Sequence, residues 1–156
     1  MWRFNGYALT CPEGGIWGAR SGGSPGYSRN VTYGTAGLAE ALPEGPYLIL
    51  RGQQSNLEPT GKASLDALYE KMFVPGTKRG WFVPLRPLFY TERGTPERGR
   101  FGIHPDGEFP GTNGCIGIFS GDYGRLFRLL VHGSFCMHLE VSYSRCCTSS
   151  AACFER

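Results

Sequence analysis

Glycine and proline interrupt this chain so often that few stretches are free to run as long helices. With 24 Gly and 11 Pro among 156 residues, apolar residues fall into short runs bounded by turns. That spacing predicts a mainly β fold, a β-sandwich or barrel-like arrangement of short strands with one or two short helices. A chain of this length fits one domain with a sizeable core. An aromatic content of 13% is well above that of a disordered chain.

Taken in order, Trp2 to Leu9 reads as one strand, Cys11 to Gly15 as a turn, and Ile16 to Arg20 as the hairpin partner. Residues 21 to 46 carry little periodicity and read as a long loop with a helical turn at Ala36 to Leu42. Tyr47 to Arg51 reads as a strand. Leu65, Leu68, Tyr69 and Met72 fall at helical spacing, which predicts a short helix over 63 to 74 with its stripe in the core. Trp81 to Leu85 and Pro87 to Tyr90 read as two strands with prolines at edges or bulges. Tyr123 to Val131 predicts a helix ending near Gly133. Ser134 to Tyr143 alternates as a closing strand, with Cys136 and His138 on its opposite face. The domain is expected over 1–143, followed by a Cys-rich tail over 144–156.

Chemistry concentrates in residues 98 to 118. His104 precedes Cys115 by eleven positions (115 minus 104), and the apolar Phe101, Ile103, Ile116 and Ile118 predict two short strands holding the ends. A thiol and an imidazole on neighbouring strands meet the minimum requirement for a cysteine nucleophile with a general base. Gly114 lets backbone approach a substrate closely, and the N–H groups of Gly114 and Cys115 could stabilise an oxyanion. On composition alone the plainer reading carries more weight: Cys115 as a small buried hydrophobe and His104 as a loop histidine. Arg100 has the chemistry to hold a substrate carboxylate, although a solvated loop arginine is the simpler account.

The segment Ile-His-Pro-Asp-Gly, followed by Gly-Thr-Asn-Gly-Cys-Ile-Gly-Ile, resembles the signature of the L,D-transpeptidase (YkuD-type) catalytic domain. The resemblance covers most of residues 5 to 131. His104 matches the family's catalytic histidine, Cys115 its acyl-accepting cysteine, Thr112 its Ser/Thr position and Gly114 its glycine. Asn113 stands where the family usually has histidine. The short spacer is similar to that of compact L,D-transpeptidase-like effectors delivered by type VI secretion. Ala19-Arg20-Ser21-Gly22 and Leu42-Pro43-Glu44-Gly45-Pro46-Tyr47 resemble a further segment of that group, which implies substrate contacts at Ser21 and Gly22.

The resemblance implies a peptidoglycan L,D-transpeptidase or L,D-carboxypeptidase acting on tetrapeptide stems, an antibacterial toxin that needs no metal or organic cofactor. Its partners would be stem peptides and an immunity protein. Two other classes stay open. One is a Cys-His amidase or endopeptidase such as a phage lysis enzyme, although those usually place the cysteine first. The other is an inactive cell-wall-binding module, which Asn113 keeps open. The member that orients the imidazole is not readable: a backbone carbonyl near Pro105 and the carboxylate of Asp106 serve equally.

The net charge of +3 and the absence of a basic stripe argue against a nucleic-acid partner. Met1 to Gly6 lacks the basic start and apolar run of a signal peptide, and no apolar stretch is long enough to span a bilayer. The expectation is synthesis in the cytoplasm and action in the periplasm or wall of a target cell, reached by another route. Besides Cys115 there are Cys11, Cys136, Cys146, Cys147 and Cys153, an odd set that cannot pair completely within the chain. Disulfides or inert thiols account for the tail better than zinc, whose usual ligand spacing is missing.

Overall fold

The computed structural model describes residues 1–22, 41–89, 101–106, 115–133 and 135–143. Within them the chain runs β1 (Trp2–Phe4), β2 (Ala8–Thr10), β3 (Ile16–Arg20), β4 (Gly45–Ile49), β5 (Ser55–Leu57), α1 (Ala63–Glu70), β6 (Gly80–Pro87), β7 (Phe101–Pro105), β8 (Ile116–Ser120), α2 (Tyr123–Val131) and β9 (Met137–Val141). Hydrogen bonding orders the strands β4-β9-β1-β2-β3-β8-β7-β6, and β6 returns to pair with β4. The sheet therefore closes into a barrel, with β5 added to β6 outside the ring. Closure leaves the ring strands without free edges. The expected mainly β architecture is observed, in its barrel form.

Alternation along the strands decides which side chains fill the barrel. Trp17 and Ala19 of β3, Ile116 and Ile118 of β8, Phe101 and Ile103 of β7, and Trp81, Val83 and Leu85 of β6 belong to one core cluster. Residues of the other parity, among them Arg20, Gly117, His104 and Phe82, stand on the outer wall. β7 is buried along its whole length, on its outer side as well as its inner one. Two pairings in the ring are parallel, β7 with β8 and β1 with β9.

Local departures from the sequence reading have local causes. The expected strand over 2 to 9 is two strands, because Gly6 takes φ 91° and Asn5 Oδ1 accepts the amides of Tyr7 at 2.9 Å and Ala8 at 2.8 Å. That is an Asx turn at an Asn-Gly pair, a strong hairpin signal. The strand expected over Trp81 to Leu85 belongs to β6, which runs through Pro84 and ends at Pro87. Of the strand expected over Pro87 to Tyr90, Leu88 and Phe89 are not strand and Tyr90 lies outside the described residues. Pro84 O accepts the Leu50 amide at 2.9 Å, just past the end of β4. Its missing N–H faces the same side, so this last rung keeps one bond, and the Leu50 carbonyl accepts the Gln53 amide at 3.4 Å instead.

The helix over 63 to 74 is shorter, and its stripe is not core. α1 buries none of its residues, and Leu68 is 52% exposed. The buried anchor of this segment is Phe73, which bridges to Gly80. α2 matches its expected range; Asp122 caps it by accepting the Arg125 amide at 2.9 Å, and Leu126 and Leu130 are buried. β9 is shorter than the expected closing strand. The helical turn expected at Ala36 to Leu42 is not seen at Ala41 and Leu42, and residues 36–40 lie outside the described residues.

Candidate functional site

His104 sits on β7 in register with Gly117 of β8, and Ile103 pairs with Ile116. Cys115 is the residue immediately before β8, with the same parity as Gly117. The two sequence-predicted residues thus come from adjacent parallel strands, His104 two positions beyond the level of Cys115. Both are buried, at 4% and 8% exposure.

The imidazole is held from two directions. Its Nδ1 lies 2.6 Å from the carbonyl oxygen of Pro105. A carbonyl only accepts, so Nδ1 carries the proton and Nε2 of the neutral ring is left as the acceptor. Phe82 stands beside it on β6, and the two rings stack with centroids 6.2 Å apart and planes 17° apart. Burial pushes the His104 pKa below 6.5, opposed by the Pro105 carbonyl and by the charge of Asp106. His104 is therefore an uncharged base at neutral pH, the form that accepts a thiol proton. Of the two candidates for orienting the ring, the Pro105 carbonyl is the one on Nδ1.

Asp106 follows β7 and is 1% exposed. Its amide donates to Ile118 O at 2.8 Å, which carries it over β8. Its Oδ2 forms a close ion pair with Arg20 Nε. The Arg20 guanidinium also lies 5.0 Å from the centroid of the Phe119 ring. Arg20 was within the Ala19 to Gly22 run that the sequence drew attention to, yet its neighbours were the expected contacts. The missed signal is strand alternation: Trp17 and Ala19 face inward, so Arg20 faces out.

Ser21 directly follows β3. It is fully buried, and its Oγ accepts the Leu42 amide at 2.8 Å, joining the two ends of the 23–40 segment. Gly22 is buried and takes φ 82° directly after it. Arg100, Thr112, Asn113 and Gly114 lie outside the described residues, as do Cys146, Cys147 and Cys153. Cys11 and Cys136 are free thiols; Cys11 is buried and its Sγ accepts the Gly15 amide at 3.2 Å, and Cys136 is exposed.

The histidines that follow Cys115 in sequence are both exposed. His138 is on β9, which lies across the ring from β8. Among the described residues no group of three or more His, Cys, Asp or Glu is placed to hold a metal ion. No helix among them is long and apolar enough to cross a membrane. The sequence matches no protein-family model, and no curated protein is significantly similar to it.

Proposed function

We propose that the protein is a cysteine acyltransferase of the L,D-transpeptidase or L,D-carboxypeptidase type, acting on the tetrapeptide stems of peptidoglycan. The observation that carries the chemistry is the tethered imidazole of His104, neutral and locked by the Pro105 carbonyl, on the strand beside Cys115. The cell-wall substrate rests on the resemblance of the His104 and Cys115 segments to that family. On the same resemblance, the protein is a toxin delivered to another bacterium, with an immunity protein in its producer.

In this reading, the Cys115 thiol gives its proton to His104 Nε2, and Sγ attacks the carbonyl joining an L-centre to the terminal D-amino acid. The carbon–nitrogen bond breaks, and the imidazolium returns the proton to the departing amine. Backbone N–H groups of Gly114 and Cys115 serve the oxyanion. Water then resolves the thioester in a carboxypeptidase; an acceptor amine does so in a transpeptidase. Incubation of purified tetrapeptide muropeptides followed by mass spectrometry tests this. Loss of the terminal D-amino acid, or its exchange, is expected, and Cys115→Ala should lower the rate by several orders of magnitude while keeping its circular dichroism spectrum. Unchanged muropeptides with folded wild-type protein would overturn the substrate assignment.

A further inference from the structure

Four residues from four strands form one row on the outer wall. Arg20 of β3 is opposite Gly117, and Gly117 is opposite His104. One step beyond the Val83–Ile103 pair, Phe82 of β6 is opposite His104. The second member of the row has no side chain, and the carboxyl of Asp106 occupies that place. A Cβ on Gly117 would sit 2.8 Å from Asp106 Cγ and 2.9 Å from its Oδ2. The carboxylate therefore stands between a guanidinium on one strand and an imidazole on another.

We propose that the Arg20–Asp106 ion pair, seated on the bare backbone of Gly117, is the positioning and charge-balancing element of the Cys115–His104 site. Arg20 draws the carboxylate onto Gly117 and offsets its charge. His104 then stays an uncharged base with Nδ1 on the Pro105 carbonyl. Without the guanidinium, the charge of the buried carboxylate beside the ring would favour the imidazolium more strongly and compete for the Nδ1 proton. Arg20 and Asp106 are positioning residues here, acting through His104.

Among the described residues, the titratable and charged groups around this pair come from three further places. They are His104 on β7, Cys115 at the head of β8 and Tyr123 at the start of α2, whereas β6 presents the apolar Phe82. The Tyr123 phenol is pushed above 10.0 by burial and by Asp106 and pulled back by Arg20, which places it in the field of the same pair. It stays protonated through the neutral range and adds no charge there.

The proposal rests on the Cys115–His104 reading and not on the identity of the substrate. Its test is an NMR titration of the His104 ring in the full chain without substrate. Wild type should titrate below 6.5. In Arg20→Gln the midpoint should rise by about one pH unit, the scale of one uncompensated neighbouring charge. Arg20→Lys, which keeps the charge, should return it close to the wild-type value. The double variant Arg20→Gln/Asp106→Asn should fall to the wild-type midpoint or below it, because the charge that Arg20 offsets is gone.

An unmoved midpoint in Arg20→Gln, or a double variant that stays as high as Arg20→Gln, overturns the proposal. Removal of Arg20 takes the ion pair from a buried carboxylate, and that variant can fail to fold. Asp106→Asn and Arg20→Lys then decide: the first should lower the midpoint and the second should not, and equal midpoints overturn the proposal. Muropeptide turnover by wild type is read in parallel. Its absence together with the expected titrations sinks the cell-wall reading alone, and turnover with unmoved titrations sinks the pairing alone.

Discussion

His104 carries a consequence for stability as well as for chemistry. Burial holds its folded pKa below 6.5, the value it regains when unfolded. In the window beneath 6.5 the unfolded chain binds more protons than the folded one. Stability therefore rises with pH through that window and is lost as pH falls. The melting temperature of wild type should drop more steeply than that of His104→Gln as pH is lowered from about 7 to about 5, a range set by the ordinary histidine pKa. His132 and His138, both exposed, are common to the two proteins. Melting curves that run parallel across the range would contradict the assignment. At this scale the sequence was informative where the chemistry is local. His104 and Cys115 stand out because a short glycine- and proline-rich stretch joins two apolar runs. The Arg20–Asp106 pair could not be seen that way. Its members are 86 positions apart, and what unites them is the register of β3 and β7 on the two sides of β8.

Elements were legible in proportion to how much of their cause lies within them. α2 has a capping aspartate and an apolar stripe, and it forms where both indicate. α1 has a stripe as well, but its neighbours leave it outside the core, which residue spacing does not reveal. β6 passes through Pro84 because β4 ends beside it, a fact about another strand. The split between β1 and β2 lies at Asn5-Gly6, within an aromatic alternation that reads as one strand. The tie from Ser21 to Leu42 joins the end of β3 to the approach to β4. Ser21→Ala strands the buried Leu42 amide and should cost about 1–3 kcal/mol of stability. Urea denaturation measures this, and an unchanged midpoint would show that the tie holds nothing. Tyr143 also reaches this approach, with its hydroxyl donating to Leu42 O and its amide to Glu44 Oε1 at 2.8 Å.

The whole barrel depends on its last strand. β9 lies between β1 and β4 in the ring, pairing Leu139 with Trp2 on one side and with Tyr47 on the other. A chain ending at residue 143 keeps that strand and the contacts of Tyr143. It should melt cooperatively near the temperature of the full chain and retain the same near-UV circular dichroism. A chain ending at residue 133 lacks β9 and should show neither. Equal behaviour of the two truncations would mean that the ring is not the cooperative unit.

The same arrangement orders events in time. Of the described strands, β1 leaves the ribosome before the others and its partner β9 after them. No enclosed barrel can exist until residues 137–141 have emerged, and until then the edges of β1 and β4 that β9 will cover stay open to other strands. Contacts this distant in sequence make folding slow. The barrel is thus most exposed to mispairing with neighbouring chains just before β9 emerges.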